Sequence, residues 1–151
     1  MRVIAGTARG ITLKTPEGMQ TRPTIDRVKE ALFSIIHFDL PGAKVLDLFG
    51  GTGQLGIEAL SRGAVSATFV DQAEPACRLI KENLRRTKLE AEGKVVRSDY
   101  MDYLRRCQDK FDMIFLDPPY RMTDLREIAE NIFYFVKKNQ YYASFENTNV
   151  L

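Results

Sequence analysis

Apolar residues in this chain follow two patterns, short continuous runs and longer stretches in which they recur every three or four positions. Continuous runs of four to six residues are typical of parallel strands buried on both faces, whereas the wider spacing predicts amphipathic helices. The continuous runs predict strands at residues 44–48, 67–70, 94–97, 111–116 and 141–145. The spaced stretches predict helices at residues 24–37, 55–62, 75–87, 102–106 and 125–137.

Strands and helices therefore alternate from residue 44 onward, which is the pattern of an α/β fold. Because crossovers between parallel strands are right-handed, we expect a doubly wound parallel sheet with helices on both faces. In such sheets, ligands bind beside the carboxyl ends of the strands. The residues that follow each predicted strand are therefore the first candidates for function.

The N-terminal region differs from the rest because it is rich in glycine and proline. Residues 3–5 and 11–14 predict two short strands joined by a turn, which is a β-hairpin. The helix at 24–37 follows this hairpin. We therefore expect two units, a hairpin arm over residues 1–23 and one larger domain over residues 24–151.

The composition agrees with a single soluble domain, since 151 residues hold 44% hydrophobic and 28% charged positions. Residues 31–38, the longest charge-free apolar stretch near the start, are too few to cross a bilayer, which needs about 20. The first six residues lack the apolar segment of a signal peptide. We therefore expect a cytoplasmic protein that does not contact a membrane.

The two cysteines, Cys77 and Cys107, lie far apart along the chain and have no close Cys or His partner in sequence. This spacing fits neither a disulfide framework nor a zinc site. The sequence therefore predicts a reduced protein without a metal centre.

Charge is distributed unevenly although the net value is only +2. Residues 1–29 hold six cations and two anions, a local balance of +4, so the remaining 122 residues carry −2. A basic N-terminal segment on an acidic body favours contact with a polyanion such as nucleic acid. An ordinary solvated surface explains the same charges equally well.

A glycine-rich motif follows the first predicted strand. Gly51, Gly53 and Gly56 match G-x-G-x-x-G between a strand and a helix, where backbone N–H groups are free to approach a ligand. Asp47, at the end of that strand, would repel a pyrophosphate and suits an ammonium or sulfonium group instead. With Phe49, these residues resemble the cofactor loop of S-adenosylmethionine-dependent methyltransferases. The alternative is a turn that merely requires glycine.

Carboxylates also follow the second and third predicted strands. Asp71, 24 positions after Asp47, has the spacing at which an acidic residue accepts hydrogen bonds from ribose hydroxyls. Asp99 lies where such folds place an acceptor for an adenine amino group, and Tyr100 is positioned to flank the ring. Capping of the next helix is the competing interpretation for both carboxylates.

The segment Asp117-Pro118-Pro119-Tyr120 follows the fourth predicted strand and decides the class of chemistry. The prolines hold the backbone extended, so the Asp117 carboxylate and the Pro118 carbonyl can both accept from one amino group. Tyr120 can stack on a planar ring. The segment resembles the [DNS]-P-P-[YFW] loop of methyltransferases that act on exocyclic or amide nitrogens. A rigid turn without function is the alternative.

This pair of acceptors has a chemical purpose in amino methylation. The lone pair of a base amino nitrogen is delocalised into the ring, and two acceptors orient the amine so that its nitrogen faces the methyl group. Positive charge develops on that nitrogen during attack, and a carboxylate already in place stabilises it. Positioning supplies much of the remaining rate, so no metal is required.

Several longer stretches together resemble the RsmD family of bacterial 16S rRNA (guanine-N2)-methyltransferases. The most specific of them is R-P-T-x-D-R-V-K-E-A-L-F. The stretches that carry the likeness are residues 2–6, 9–10, 22–24, 26–33, 56–64 and 111–120.

The resemblance covers residues 1–146 and implies a Rossmann-like sheet, S-adenosylmethionine as cofactor and a guanine amine of 16S rRNA as target. It also implies that Thr24 and Arg27 border the methionine end of the cofactor, although Arg27 has the alternative of pairing with a carboxylate. By the same likeness the basic hairpin grips RNA through a set of four cations. These are Arg2, Arg9, Lys14 and Arg22.

The chain departs from this family at its C-terminus. The chain stops at Leu151, and the five residues after position 146 cannot form the last two strands of the seven-stranded methyltransferase sheet, so a shortened sheet with one open edge is expected. Two other functions therefore stay open, a DNA adenine or protein glutamine methyltransferase and a non-catalytic remnant that binds cofactor or RNA. We expect a monomer whose partner is 16S rRNA or a small-subunit assembly.

Overall fold

The computed structural model describes residues 1–17, 23–118, 126–128 and 130–132. Strands and helices alternate in this part of the chain as the sequence predicts, and residues 126–128 and 130–132 are helical as well. The strands are β1 (Lys44–Asp47), β2 (Ser66–Asp71), β3 (Gly93–Arg97) and β4 (Met113–Phe115). The α-helices are α1 (Pro23–Ile36), α2 (Gln54–Ser61), α3 (Glu74–Arg86) and α4 (Tyr100–Arg106), and one 3₁₀ turn spans His37–Asp39.

The four strands form one parallel sheet in the order β3-β2-β1-β4. Chain order runs outward from β1 in one direction through β2 and β3, and then reverses to place β4 on the other side. Such a reversal opens a crevice between the carboxyl ends of the two strands that flank it, here β1 and β4. The fold prediction is therefore confirmed for the described strands, and the crevice lies beside Asp47.

Apolar side chains cover both faces of the sheet. One face carries the larger cluster, to which the N-terminal segment, α1, α2 and α3 contribute; its largest fully buried members are Phe33, Leu40, Ile57, Phe69 and Ile80. The other face carries a smaller cluster built with α4 and the helical residues near 130; it includes Leu46, Leu48, Val70, Leu104, Ile128 and Ile132. Burial on both faces explains why the strands are continuous apolar runs.

The N-terminal segment, residues 1–14, folds back on itself with less regular pairing than the predicted hairpin. One antiparallel bridge joins Arg2 and Thr12, and the Val3 amide donates to the Ile11 carbonyl at 3.0 Å. Gly6 and Gly10 have positive φ, which ends strand geometry between these contacts. The segment also packs into the larger apolar cluster, so it is part of the core; its buried residues are Val3, Ala8 and Leu13.

A buried carboxylate joins this segment to two helices. Glu58 is fully buried in α2, and its Oε1 accepts from the Ile4 amide at 2.8 Å and lies 3.2 Å from Lys29 Nζ. Its Oε2 accepts from the Ala5 amide at 3.1 Å and from Arg62 Nε at 3.0 Å. Burial lowers the pKa of Lys29 below its ordinary value, and the charge of Glu58 opposes that shift. Four donors therefore satisfy this one carboxylate.

The predicted starts of β4 and α4 are wrong by two residues each, and one predicted strand lies outside the described residues. β4 is shorter than residues 111–116, and Phe111 packs into the smaller cluster ahead of the strand. α4 begins at Tyr100 instead of 102 because Asp99 caps it. The predicted strand at 141–145 and most of the helix at 125–137 lie outside the described residues. Within the described part of the chain, no helix combines the length and the apolar character needed to cross a bilayer.

Candidate active site

The glycine loop turns sharply between β1 and α2. Gly51 has φ +59° and Gly53 has φ +83°, both in the left-handed region that favours glycine. The Gly50 amide donates to the Val70 carbonyl at 2.9 Å and the Gly53 amide to the Gly50 carbonyl at 2.7 Å, which fixes the turn. A Cβ built on Gly51 would meet only the Phe49 carbonyl oxygen, at 3.9 Å. That side of the loop is therefore open to a ligand.

The third glycine of the motif serves packing. A Cβ on Gly56 would lie 2.3 Å from the nearest ring carbon of Phe69 on β2. Only glycine lets α2 lie this close to the sheet, which is the role of the last glycine in dinucleotide-binding loops. Gly51 and Gly53 therefore allow the turn of the loop, and Gly56 allows α2 to pack closely against the sheet.

Asp47 is buried at the edge of the crevice with one oxygen left without a partner. Its exposed fraction is 1%, and Oδ2 accepts from the Gly56 amide at 3.3 Å. Oδ1 is buried and has no hydrogen-bond partner among the described residues. Desolvation raises the pKa of Asp47 to about 8, opposed by the Gly56 hydrogen bond and reinforced by the charges of Asp117 and Asp71. A cationic ligand group would satisfy this carboxylate.

Asp71 holds the glycine loop from the end of β2. Its Oδ2 accepts from the Gly51 amide at 3.1 Å, and its Oδ1 accepts from the Ala73 amide at 2.9 Å, just before α3. Each carboxylate oxygen has room for a second hydrogen bond. The backbone contacts therefore leave Asp71 able to accept from ribose hydroxyls, although it also acts in the turn that precedes the helix.

Asp99 takes the helix-capping position that competes with adenine recognition. Its Oδ1 accepts from the amides of Met101 at 2.9 Å and Asp102 at 3.3 Å. Both donors go to the same oxygen, so Oδ2 has no hydrogen-bond partner in the described part of the chain. Tyr100 is buried, and its ring lies 5.2 Å from that of Phe49. The aromatic pair therefore lies beside the carboxyl end of the sheet.

Asp117 and Pro118 follow β4 directly at the crevice. The Leu48 amide donates to the Phe115 carbonyl at 3.2 Å, which ties the loop after β1 to the end of β4. Asp47 lies opposite Phe115 in the register of β1 and β4, so Asp117 follows at the same edge of the sheet, and its charge contributes to the raised pKa of Asp47. Desolvation also raises the pKa of Asp117. Pro119 and Tyr120, the rest of the predicted catalytic segment, lie outside the described residues.

The cations predicted to bind RNA have different surroundings. Arg2 and Arg9 are exposed and, with Asp26 and Glu30, line a cavity of about 280 Å³ between the N-terminal segment and α1. Lys14 instead pairs with Glu82, its Nζ lying 3.1 Å from Oε1.

Thr24 and Arg27 are the two residues predicted to border the methionine end of the cofactor. Arg27 is exposed and makes no ion pair among the described residues, so the pairing alternative has no support. Of Thr24 only the backbone position in α1 is described, and Arg22 lies outside the described residues.

Sequence reasoning missed Asn83 of α3, whose side chain hydrogen-bonds to the backbone of the glycine loop. This fully buried side chain donates to the Thr52 carbonyl at 2.9 Å and to the Lys14 carbonyl at 3.0 Å. Its Oδ1 accepts from the Lys14 amide at 2.7 Å. A polar residue on the apolar side of α3, between Ile80 and Leu84, is the signal that marks it.

The other cavity and the side-chain clusters of the described residues offer no competing centre. A cavity of about 390 Å³ lies at the opposite, amino edge of the sheet, away from the glycine loop; Lys44, Ser66, Gly93, Lys94 and Lys110 are among its lining residues. Among the described residues no group of three or more His, Cys, Asp or Glu side chains is placed to hold a metal ion. The carboxyl edge therefore stays the candidate site.

A parallel sheet of this order, with a glycine loop after β1 and carboxylates after the other strands, is the Rossmann-like fold of the S-adenosylmethionine-dependent methyltransferases. A family model described as conserved hypothetical protein 95 matches residues 1–144. The chain belongs to this family, and the resemblance to the RsmD family is confirmed.

Relatives and solved structures agree with this membership. YlbH of Bacillus subtilis, provisionally named an rRNA methyltransferase, is 43% identical over 131 residues, which are 85% of this chain and 71% of that protein. Ribosomal RNA small subunit methyltransferase D of Haemophilus influenzae is 39% identical over 126 residues, 82% of this chain and 65% of that protein. The chain thus spans slightly less than two thirds of the Haemophilus protein's length.

The structure of yhhF from Escherichia coli, provisionally named a methyltransferase, superposes with a TM-score of 0.79. It is 34% identical, and the match covers 95% of this chain and 76% of that one.

The residues at the crevice fit the cofactor that this fold implies. The free Asp47 oxygen calls for a cationic group, and S-adenosylmethionine carries an ammonium and a sulfonium. The open side of Gly51 leaves space for the ligand to approach the backbone. Asp71 and Asp99 add acceptors at the ends of β2 and β3, at the same edge of the sheet.

Proposed function

We propose that this chain transfers a methyl group from S-adenosylmethionine to the exocyclic N2 amine of a guanine in 16S ribosomal RNA. The proposal is supported by relatives named as ribosomal RNA small subunit methyltransferase D. It is also supported by a crevice in which the Asp47 carboxylate can pair with a cation and the loop after β4 can accept hydrogen bonds from an amine. The observation that carries it is the unpartnered oxygen of Asp47 at the same sheet edge as Asp117.

The cofactor side of the crevice divides recognition among the strand ends. Asp47 binds the ammonium group, and Gly51 and Gly53 offer backbone to the ligand. Asp71 accepts from the ribose hydroxyls, while Asp99 accepts from the adenine amine through Oδ2. Phe49, Tyr100, Thr24 and Arg27 complete the surroundings of the cofactor. When bound, S-adenosylmethionine supplies an electrophilic methyl group on its sulfonium sulfur.

The substrate side uses the loop after β4. The Asp117 carboxylate and the Pro118 carbonyl each accept one N–H of the guanine amine and hold its nitrogen toward the crevice. Asp117 stabilises the positive charge that develops on this nitrogen, and afterwards the excess proton leaves to the carboxylate or to water. Tyr120 stacks on the extruded base. The raised pKa of Asp117 suits a group that gains a proton.

RNA outside the crevice is held by cations of the N-terminal region. Arg2 and Arg9 are exposed, whereas Lys14 contributes with its charge partly compensated by Glu82. With Arg22, they contact phosphates, which position the RNA without reading its sequence. The substrate is 16S rRNA, free or within a small-subunit assembly, and the protein acts in the cytoplasm as a monomer.

The test is methyl transfer from labelled S-adenosylmethionine to small subunits that lack the modification. Asp117→Ala should lower transfer by about 100-fold or more, because the charge on nitrogen loses its counterpart, while cofactor affinity stays within about threefold. Asp102→Ala, on the exposed surface of α4, is the matched control and should act like the unsubstituted protein. Equal transfer by both variants, or no transfer to guanine by the unsubstituted chain, would contradict the proposal.

Duplex DNA is the substrate to exclude, since the same loop chemistry serves adenine amines. An excess of duplex DNA should leave transfer to the small subunit unchanged. Strong competition by the DNA would favour the alternative function.

A further inference from the structure

The outer face of α3 carries a row of cations that the proposed function does not use. Arg78, Lys81 and Arg85 are exposed, and at about 100° per residue they lie within about 60° of one another around the helix. From the first to the last the row spans about 10 Å, at 1.5 Å per residue. No hydrogen bond or ion pair in the described part of the chain involves these three side chains.

The acidic residues of α3 do not neutralise this row. Glu82 pairs with Lys14 of the N-terminal segment at 3.1 Å, and Glu74 pairs with Arg97 of β3 at 3.5 Å. Both anions of the helix are thus engaged by cations from other elements. Glu82 stands four positions after Arg78, a spacing that permits a pair on one helix, but it contacts Lys14 instead. The exposed face keeps an uncompensated charge of +3.

The row is continuous with the N-terminal segment. Beside it on the same helix, Arg86 Nε donates to the Thr12 carbonyl at 3.2 Å, and Asn83 holds both backbone groups of Lys14. Two successive turns of α3 therefore present cations on the outside, while the edge of the same helix contacts residues 12–14. The segment proposed to grip RNA and the cationic row form one surface.

We infer that this surface, Arg78, Lys81 and Arg85 on α3, binds the phosphate backbone of the RNA substrate. The inference rests on the proposed function and extends its RNA contact from the N-terminal segment onto the body of the domain. Charge complementarity identifies the occupant, because an uncompensated basic row is the electrostatic counterpart of a polyphosphate chain. A membrane surface is a poor match, since the apolar residues of α3 are used in the core: Cys77, Ile80 and Leu84 are buried.

The experiment compares two triple variants of the full chain. R78Q/K81Q/R85Q removes the row and keeps the helix, because Gln has nearly the helix propensity of Arg and Lys. K44Q/K94Q/K110Q removes three exposed cations at the amino edge of the sheet and is the matched control. Each is measured for binding to a 16S rRNA fragment over a range of salt, for cofactor affinity and for methyl transfer.

The α3 variant should bind the fragment more weakly, and the slope of log affinity against log salt should fall in magnitude by about 2, near 0.7 for each lost contact to single-stranded RNA. KM for RNA should rise about tenfold with kcat and cofactor affinity unchanged. The control should keep the slope of the unsubstituted chain. The single variant R85Q, with an expected change of about 0.7, gives the same readout with less disturbance.

Equal salt slopes for the α3 variant and the unsubstituted chain would overturn the inference. An equal loss of RNA affinity in the control variant would also overturn it, because the effect would then follow from the net charge of the protein and not from the position of the cations. Retained RNA binding with lost binding to phosphatidylserine vesicles would assign the row to a membrane instead. The two proposals fail separately: absence of methyl transfer to guanine by the unsubstituted chain counts against the function, whereas the salt slope tests the surface.

Discussion

Two buried carboxylates, eleven positions apart in one strand–loop–helix unit, have opposite surroundings. Glu58 receives four hydrogen bonds or ion pairs, from the backbone of the N-terminal segment and from Lys29 and Arg62. Asp47 receives one, from the Gly56 amide, and keeps a buried oxygen without a partner in the described structure. One carboxylate is completed by the fold itself, and the other is left for a ligand to complete.

The comparison separates a structural use of buried charge from a functional one. A buried acid with all its acceptor sites filled ties elements together, although its removal leaves buried cations uncompensated. A buried acid with a free oxygen costs the fold free energy, which binding of a cation can recover. Incomplete satisfaction at the crevice is therefore what makes Asp47 a candidate ligand contact.

The largest effect is expected at the satisfied member of the pair. Glu58→Gln leaves Lys29 and Arg62 without a carboxylate and turns an amide donor toward other donors, so stability to urea should fall by about 3–5 kcal/mol. Glu82→Gln, which breaks the exposed pair with Lys14, should cost under about 1 kcal/mol. Similar urea midpoints for the two variants would mean that the buried network contributes no more than a surface pair.

Substitution of Asp47 should affect ligand binding strongly and stability little. Asp47→Asn should leave the fold at least as stable at pH 8, since no buried charge must be formed, while cofactor affinity falls by about 100-fold because the ammonium loses its counterion. Calorimetric titration with S-adenosylmethionine and urea unfolding measure the two properties. A folded Asp47→Asn protein that binds normally would show that the second oxygen has no ligand role, and an unfolded one would show that the fold itself requires this carboxylate.

Substitutions at Gly56 and Gly51 test the separate roles of these two glycines in packing and in ligand binding. Gly56→Ala places a methyl group against the Phe69 ring and pushes α2 from the sheet, so stability should fall by about 2 kcal/mol. Gly51→Ala meets no such contact, although its φ of +59° strains an alanine by about 1 kcal/mol, and its larger effect should appear in cofactor binding because the new methyl group lies on the open side of the loop. Equal stability losses in the two variants would contradict this division.

The two carboxylates should also differ in how they make the protein depend on pH. Because the pKa of Asp47 is about 8 in the fold and 3.8 in an ordinary carboxyl, the protonated side chain contributes stability that is complete below about pH 4. That contribution is lost progressively as pH rises to about 8. Cofactor affinity should rise instead, by up to about tenfold per pH unit, since only the ionised form pairs with the ammonium.

The measurement is unfolding of the ligand-free protein at pH 5 and pH 8, with Asp47→Asn as the comparison. The decline in stability between these values should be smaller in the variant. An identical decline in both proteins would assign the pH dependence to other groups.

Much of the fold and the loop motif is predictable from local pattern. Continuous apolar runs identify four described strands, and the glycine spacing locates the turn after β1 because only glycine tolerates the φ values of Gly51 and Gly53. Asp47 is recognisable from its place at a strand end. These features depend on neighbours within about ten residues, which is the range over which pattern reasoning is informative.

The remaining features depend on contacts that sequence proximity does not reveal. Glu58 with Arg62 at i+4 has the pattern of an exposed helical pair, and its burial follows only from the backbone of residues 4 and 5 packing above it. Asn83 gains its partners from residues 14 and 52. The Asp99 cap is different, because it is a local contact that the sequence analysis does name as an alternative, and it uses only Oδ1.

The N-terminal segment also constrains the order of events during protein synthesis. Residues 1–14 are translated ahead of their partners Glu58, Asn83 and Arg86, which follow 53 to 74 positions later. At about 5–20 residues per second, roughly 3 to 15 s pass before these partners have been added to the nascent chain. Until then Val3 and Leu13 stay in water, so closure of this core is a late step that needs most of the domain to have emerged.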